Sequence, residues 1–401
     1  MFSRRHLIIY GLLGLAVLIQ ATVTPIRLLA EEKQDRPFSL AAIPNFFVDD
    51  DMGIGYGLQG AMYARPDAYA PYFYKFHANF WNTTKGPMRT YLFFDSPYLI
   101  PSYRLSVDLR YNDDSTSPFY GIGNWSLEKE TYQRRRLNLA TDLQRTIWQP
   151  PEGEENAHHK LQALLGLGIF NTDINLDQSP SLQKMKPVPV GAKGGWTNYL
   201  KLGIVHDTRD NESVPTQGYW LDLLAEASNS ILGSDYNYLR LTSTLRVYFP
   251  LISKRLIYAG RVMGETLVGD PPFYELSYFA NSAQWKEEAL GGSKSLRGIP
   301  LNRFIGKTKF FSNQELRWLI VDFGFLKQDF TLAANLFLDF GGVWHDEVET
   351  DSGESTSTNT LKISRGGGMR LIWNKNFIVA GDIGNSKETP MAVYIGIGYL
   401  Y

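Results

Sequence analysis

Hydrophobic and polar residues alternate with a period of two along most of the chain after Pro37. In 104–111, one face carries Leu105, Val107, Leu109 and Tyr111, and the other carries Arg104, Ser106, Asp108 and Arg110. The same alternation occupies 238–249 and 330–340. It predicts β-strands, and each stretch is close to the ~10 residues of a tilted membrane-crossing strand.

The composition of the two faces favours a membrane barrel. Charged side chains stand at the centres of the polar faces, and Leu, Phe, Tyr and Trp fill the apolar faces. A lipid-facing exterior around a water-filled lumen explains both faces. A soluble all-β sandwich, with its apolar face in the core, is the alternative.

About sixteen strands follow from this pattern, an even number as bacterial barrels require. They lie near 38–47, 52–63, 72–83, 88–97, 103–112, 132–147, 160–172, 197–207, 218–228, 236–249, 256–268, 308–321, 328–344, 361–373, 376–384 and 392–401. The long connections (113–131, 173–196, 269–307 and 345–360) follow odd-numbered strands, whereas short ones such as 250–255 and 374–375 follow even-numbered strands. Long external loops and short periplasmic turns are typical of an outer-membrane β-barrel.

The first thirty residues are predicted to be a signal peptide. Arg4, Arg5 and His6 precede an apolar run over 7–19, which is shorter than the ~20 residues of a transmembrane helix. Cleavage after Ala30 is preferred to cleavage after Ala21, and an uncleaved anchor helix is the alternative. The predicted organisation is therefore a signal peptide (1–30), a short N-terminal segment (31–37) and one barrel domain (38–401).

Composition excludes several classes of partner and site. The 40 basic and 41 acidic residues give a net charge of −1, which argues against a nucleic-acid partner. The absence of cysteine excludes disulfides, thiolate metal sites and cysteine nucleophiles. The mean hydropathy of −0.23 resembles that of a soluble protein, but alternating lipid-facing and lumen-facing residues average to the same value.

The last predicted strand has apolar residues at the odd positions of 393–401. Tyr399 and Tyr401 are expected at the periplasmic interface, where barrels carry a girdle of aromatic residues. The series Gly396-x-x-Tyr399-x-Tyr401 resembles the C-terminal signal that the outer-membrane assembly machinery recognises, so this machinery is the expected partner for insertion of the chain itself. An ordinary edge strand is the alternative.

Several motifs occur in a fixed order along the second half of the chain. They are Gly-Gly-Ser-Lys-Ser-Leu-Arg-Gly-Ile (291–299), Gln-Glu-Leu-Arg (314–317), Phe-Leu-Asp-Phe-Gly-Gly-Val-Trp (337–344) and Ser-Arg-Gly-Gly-Gly-Met-Arg-Leu (364–371). In this order they resemble the barrel of the BamA/TamA surface-antigen superfamily. The resemblance covers about 38–401 and is strongest after Thr197. The periplasmic POTRA domains of BamA and TamA are missing, so the chain is similar to the barrel-only branch.

The resemblance implies that the sixth external loop folds into the lumen. Its arginine, Arg297, is then held by the acidic residues Glu315 and Asp339, and alternation independently places both on the lumen face. A guanidinium fork suits paired carboxylates, and Gly298 permits a tight turn or a close approach to the wall. The family usually has an aromatic residue where this chain has Ile299. The alternative is that Arg297 is a solvated loop residue.

The first and last strands contain residues that weaken strand pairing. Pro44 lacks a backbone donor, and Gly396 and Gly398 reduce the stability of a strand interior. Closing the barrel pairs these two strands, so the seam between them is expected to open more readily than other pairings. It is interpreted as a lateral gate or a dimer contact. The alternative is that Pro44 merely ends its strand near the rim.

No catalytic, metal or cofactor site is predicted. The G-x-G-x-x-G series over 55–60 lies in a strand without a following helix, unlike a dinucleotide site. The motifs H-E-x-x-H and G-x-S-x-G and the Walker A motif are absent.

The predicted function is assistance in placing or moving protein or lipid at the bacterial outer membrane. A passive pore or structural surface antigen is the alternative, and a lipid hydrolase is a weaker one. Expected partners are outer-membrane lipid and lipopolysaccharide, together with a separate periplasmic protein or a second copy of the chain.

Overall fold

The computed structural model describes residues 38–64, 72–123, 129–151, 153–154, 156–185, 187–212, 214–282, 287–288, 290–326, 328–344, 361–374, 377–397 and 401. The predicted signal peptide (1–30) and N-terminal segment (31–37) lie outside these residues, as do Gly398 and Tyr399.

The sixteen predicted strands form one closed antiparallel sheet, which confirms the predicted antiparallel β-barrel of about sixteen strands. We number them β1 (Phe38–Asp49), β2 (Gly53–Ala64), β3 (Tyr74–Thr83), β4 (Met88–Ile100), β5 (Tyr103–Phe119), β6 (Glu130–Trp148), β7 (Lys160–Asn175), β8 (Tyr199–Asp207), β9 (Gly218–Ser228), β10 (Tyr238–Pro250), β11 (Leu256–Gly269), β12 (Thr308–Phe325), β13 (Gln328–Trp344), β14 (Lys362–Trp373), β15 (Phe377–Ser386) and β16 (Ala392–Ile397). Each strand pairs with its neighbours in sequence, and β1 pairs with β16 to close the barrel.

Short elements occur in the connections. They are the helix α1 (Pro180–Lys184), 3-10 helices at Ser230–Leu232 and Phe273–Ser277, and strand segments at Gly194–Trp196, Tyr278–Phe279 and Glu287–Glu288. None of the helices in the described part of the chain has both the length and the apolar character needed to cross a membrane.

The two faces of the wall differ in the way that the alternation predicted. The outer face exposes large apolar side chains; Leu202 and Leu223, for example, are 53% and 48% exposed. Their sequence neighbours Lys201 and Asp222 point to the other face and are buried. A soluble protein buries its apolar residues and exposes its charges, so this inverted arrangement is the one expected for a wall that faces lipid.

Strand β5 is longer than the pattern predicted. Residues from 113 onward were predicted to form a loop, yet β5 continues to Phe119 and stays paired with β6. The Asp114 carboxylate accepts hydrogen bonds from Arg134 of β6 (2.7 Å) and from Arg89 of β4 (3.2 Å). These ion pairs stabilise an extended polar segment that local sequence alone reads as a turn.

The connection between β11 and β12, which we call loop 6 (270–307), supplies much of the buried apolar core. Its residues Phe279, Leu290, Leu296, Ile299 and Phe304 pack in one cluster with the strand residues Met263, Phe311 and Val343. A second cluster joins Phe273 and Tyr274 of loop 6 to residues of β5, β6, β7 and α1. Loop 6 therefore contacts strands on widely separated parts of the wall.

Candidate functional site: the loop 6 anchor

Arg297 of loop 6 is fully buried against the charged face of the wall. Its Nε and Nη2 each donate a 2.9 Å hydrogen bond to Asp339 of β13, one to each carboxylate oxygen. Its Nη1 donates to Glu315 of β12 at 2.6 Å and lies 3.4 Å from Asp382 of β15. The structure thus brings together the predicted residues Arg297, Glu315 and Asp339.

Two further contacts fix the position of this guanidinium. The backbone N–H of Arg297 donates to Asp339 at 3.1 Å, so the loop backbone is held together with the side chain. The guanidinium carbon lies 3.6 Å from the centre of the Phe337 ring, which fits a cation–π contact. A bidentate, desolvated pair of this kind is stronger than a surface ion pair.

Gly298 lets the loop backbone lie directly on the wall. Its φ is +92°, a left-handed conformation, and a Cβ placed there would lie 2.7 Å from the backbone nitrogen of Asn385. Its N–H donates to the Tyr394 hydroxyl of β16 (3.1 Å), and its carbonyl accepts from Ser386 of β15 (2.6 Å). Both backbone conformation and space therefore require glycine at this position.

The charges around Arg297 balance within the described residues. Arg317 pairs with Glu315 at 2.8 Å, and Arg370 pairs with Asp382 at 2.9 Å. We call the six side chains the Arg297 network: Arg297, Arg317, Arg370, Glu315, Asp339 and Asp382. Sequence reasoning missed Arg317, Arg370 and Asp382. Two of them lie inside motifs quoted for the family resemblance, and Asp382 falls on the polar face of β15, so alternation could have indicated them.

Tyr401 lies inside the barrel, which corrects the expected place at the periplasmic interface. Its hydroxyl donates to the carbonyl of Ala259 at 2.8 Å, and it is largely buried. The guanidinium carbons of Arg261 and Arg317 lie 5.0 and 4.9 Å from the centre of its ring. The alternation rule failed because two cation–π contacts and a hydrogen bond satisfy this aromatic residue on the charged face. Gly396 remains in β16, opposite Ala380 of β15.

The seam joins β1 to β16. Within the described residues its register comprises Val48 with Ile395 and Asp49 with Tyr394. By contrast, β1 pairs with β2 along its full length from Phe38 to Asp49, and Pro44 lies opposite Leu58 in that ladder.

The described ranges contain no group of three or more His, Asp or Glu side chains arranged to hold a metal ion.

Comparison with known proteins decides the family. Residues 81–378 match the model of the Omp85 superfamily domain. The chain belongs to the Omp85 superfamily. This confirms the family resemblance of the ordered motifs, and the protein is a bacterial outer-membrane β-barrel.

Solved structures show the same fold at low sequence identity. BamA from Haemophilus ducreyi lacking POTRA domains 1–3 has a TM-score of 0.58 and 14% identity, over 90% of this chain and 70% of that one. CdiB from Escherichia coli has a TM-score of 0.60 and 11% identity, over 91% of this chain and 63% of that one. CdiB from Acinetobacter baumannii has a TM-score of 0.54 and 13% identity, over 90% of this chain and 59% of that one. The chain thus spans between 59% and 70% of these structures. No curated protein matches the sequence.

Proposed function

We propose that this barrel assists the insertion or translocation of protein or lipid at the outer membrane, and that loop 6 is a movable plug in its lumen. The observation that carries the proposal is the buried Arg297 clamp, which joins loop 6 to carboxylates on β12, β13 and β15. Membership of the Omp85 superfamily supports a transport or assembly role in general.

The chemistry of the clamp suits a part that moves. A buried ion pair adds little net stability compared with apolar packing, but it fixes one geometry. Water that enters the lumen can solvate the Arg297 network and lower the cost of separating its charges. We infer that the clamp sets the resting position of loop 6 and releases it when the lumen becomes hydrated.

The seam is the proposed route toward lipid. The two described register pairs of β1 with β16 lie at the rim from which loop 6 departs, and Gly396 leaves open space beside β16. We propose that β1 and β16 separate during insertion, or that they form a contact with a second copy. The rival interpretation is that the seam stays closed.

A disulfide across the seam tests this point, because the chain has no cysteine of its own. Val48 and Ile395 are register partners, so V48C/I395C is the variant of choice. Oxidation is expected to stop the insertion of a client barrel into vesicles, and reduction to restore it. Full insertion by the oxidised protein would argue against opening of the seam.

Conductance separates the proposal from its alternatives. A plugged lumen predicts small, flickering currents in a planar bilayer, together with faster folding of a client barrel in vesicles. Large, stable current steps without any effect on client folding would instead indicate a passive pore. Release of fatty acid from phospholipid, abolished by one Ser→Ala change, would indicate a hydrolase.

A further inference from the structure

A second charged contact holds the first arm of loop 6 (270–282), which precedes Arg297 in the chain. Glu275 lies in the 3-10 helix Phe273–Ser277 and is completely buried. Arg136 of β6 donates to its Oε1, and Arg240 of β10 donates to its Oε2 at 2.6 Å. One loop carboxylate therefore bridges two arginines that project from separate strands of the wall.

The same arginines also contact the backbone and the aromatic rings of this arm. Arg240 donates to the carbonyl oxygens of Glu275 (3.3 Å) and Tyr278 (3.0 Å). The guanidinium of Arg136 lies over the rings of Tyr274 (5.6 Å) and Tyr278 (4.9 Å). Side-chain charge, backbone carbonyls and aromatic faces are thus all used to fix the arm on the wall.

Glu275 completes a charge-balanced set within the described residues. Arg240 also pairs with Glu265 (3.2 Å) and Glu226 (3.4 Å), and Lys309 pairs with Glu265 at 2.6 Å. We call these six side chains the Glu275 network: Glu275, Glu265, Glu226, Arg136, Arg240 and Lys309. Removing the Glu275 carboxylate leaves three cations facing two anions in a buried region, which is unfavourable without a replacement anion.

We propose that the Arg136–Arg240 pair is a carboxylate-binding site on the inner wall, which loop 6 fills with Glu275. Loop 6 is then anchored at two sites of opposite polarity: an acid on the loop between wall arginines, and an arginine on the loop between wall acids. When the first arm withdraws, the vacated site accepts a small carboxylate from solution. The inference deepens the proposed function, because it rests on loop 6 being the movable part.

The test places a single reporter cysteine in the first arm, S277C, because Ser277 is buried beside Glu275. A membrane-impermeant maleimide is applied to the purified full-length barrel in vesicles. E275A is expected to raise the rate of labelling at least about tenfold, since the arm loses its anchor and opens. Sodium formate should restore slow labelling by filling the vacated site, whereas sodium chloride at the same ionic strength should not.

Two variants serve as controls. E275Q retains the side-chain volume without the charge, so it should release the arm but gain no protection from formate. E288A removes another loop 6 glutamate that pairs with an arginine, Arg89 at 2.9 Å, but this pair is partly exposed. It should change labelling less than about twofold, because this pair lies outside the Glu275 network and, being partly exposed, contributes less than a fully buried pair. Heat-modifiable electrophoretic mobility establishes that each variant is folded.

Slow labelling of folded E275A, or labelling that formate leaves unchanged, would overturn the inference. Client insertion measured on the same vesicles separates it from the proposed function. If E275A releases the arm but insertion is unaffected, the carboxylate site stands and the role of loop 6 in insertion is wrong.

Discussion

The two anchors of loop 6 use the same chemistry with reversed polarity. In the Arg297 network the base is on the loop and its acids are on β12, β13 and β15. In the Glu275 network the acid is on the loop and its bases are on β6 and β10. Each network contains three cations and three anions among the described residues, so each is neutral only while loop 6 is in place.

The anchors differ in what surrounds them. The residue after Arg297, Gly298, binds Ser386 of β15 and Tyr394 of β16, next to the seam. Glu275 binds strands in the middle of the sheet order, away from the seam. A movement of the seam strands would therefore act first on the second arm of the loop (290–307), while the first arm is held by a part of the wall that the seam does not include.

The largest effect is expected when a carboxylate of the Arg297 network is removed. Asp339→Ala removes the bidentate partner of the buried Arg297. Breaking a buried ion pair in this way destabilises the folded state by about 3–5 kcal/mol. Trypsin should cleave loop 6 at Lys294 or Arg297 far faster than in the parent protein. Asp322→Ala, which removes an exposed carboxylate paired with Arg255, is the matched control and should not change cleavage. Equal cleavage of the Asp339→Ala and parent proteins would remove the basis for the clamp.

A smaller effect is expected from Gly298→Ala. The added Cβ meets the backbone of β15 at 2.7 Å, and the left-handed φ is unfavourable for alanine. A non-glycine residue held in such a conformation lowers the free energy of unfolding by about 1–3 kcal/mol. The second arm should shift from β15, which a S295C reporter measures as faster labelling while S277C in the first arm stays slow. Equal acceleration at both reporters would show that the arms move as one unit.

A pH-dependent effect is expected where loop 6 meets the β1–β2 turn. Burial, together with the nearby Asp49 charge, raises the pKa of Asp51 from 3.8 to about 7, although the Leu301 backbone N–H of loop 6 opposes the shift. Because folding raises this pKa, the stabilisation is complete below about pH 4 and is lost as the pH rises through about 7.

Hydrogen exchange at the backbone amides of 301–303 measures this dependence. Relative to Asp51→Asn, the parent protein should become less protected between pH 5 and pH 8. Comparison with the variant at each pH removes the intrinsic acceleration of exchange by base. A constant ratio of the two exchange rates over this range would contradict the assignment.

The smallest effect is expected from a wall residue that contacts neither network. His77 of β3 is half-buried and contacts the Tyr91 hydroxyl at 3.3 Å, outside both networks. His77→Ala should change stability by no more than about 0.5 kcal/mol. It should also leave the labelling of both loop 6 reporters unchanged. Faster labelling would mean that retention of the loop depends on lumen polarity in general rather than on two anchors.

The sequence was sufficient for the barrel and for one anchor. Alternation and loop lengths predicted the sixteen strands, because lipid outside and charge inside impose a period of two. Arg297, Glu315 and Asp339 could be named because ordered motifs mark them. Glu275 had no such signal: it lies in a Pro-Pro-Phe-Tyr-Glu-Leu-Ser segment that looks like an ordinary turn, and its partners Arg136 and Arg240 are more than thirty residues away. The interior place of Tyr401 was also missed, because it depends on Arg261 and Arg317 from other strands.

The most direct test of the two-anchor account is the single-channel conductance of the parent protein, R297A, E275A and the double variant in one planar bilayer preparation. Small, flickering currents are expected for the parent, partial opening for each single variant, and large, stable steps only when both anchors are absent. If the double variant conducts like the parent protein, the two networks do not hold loop 6 in the lumen.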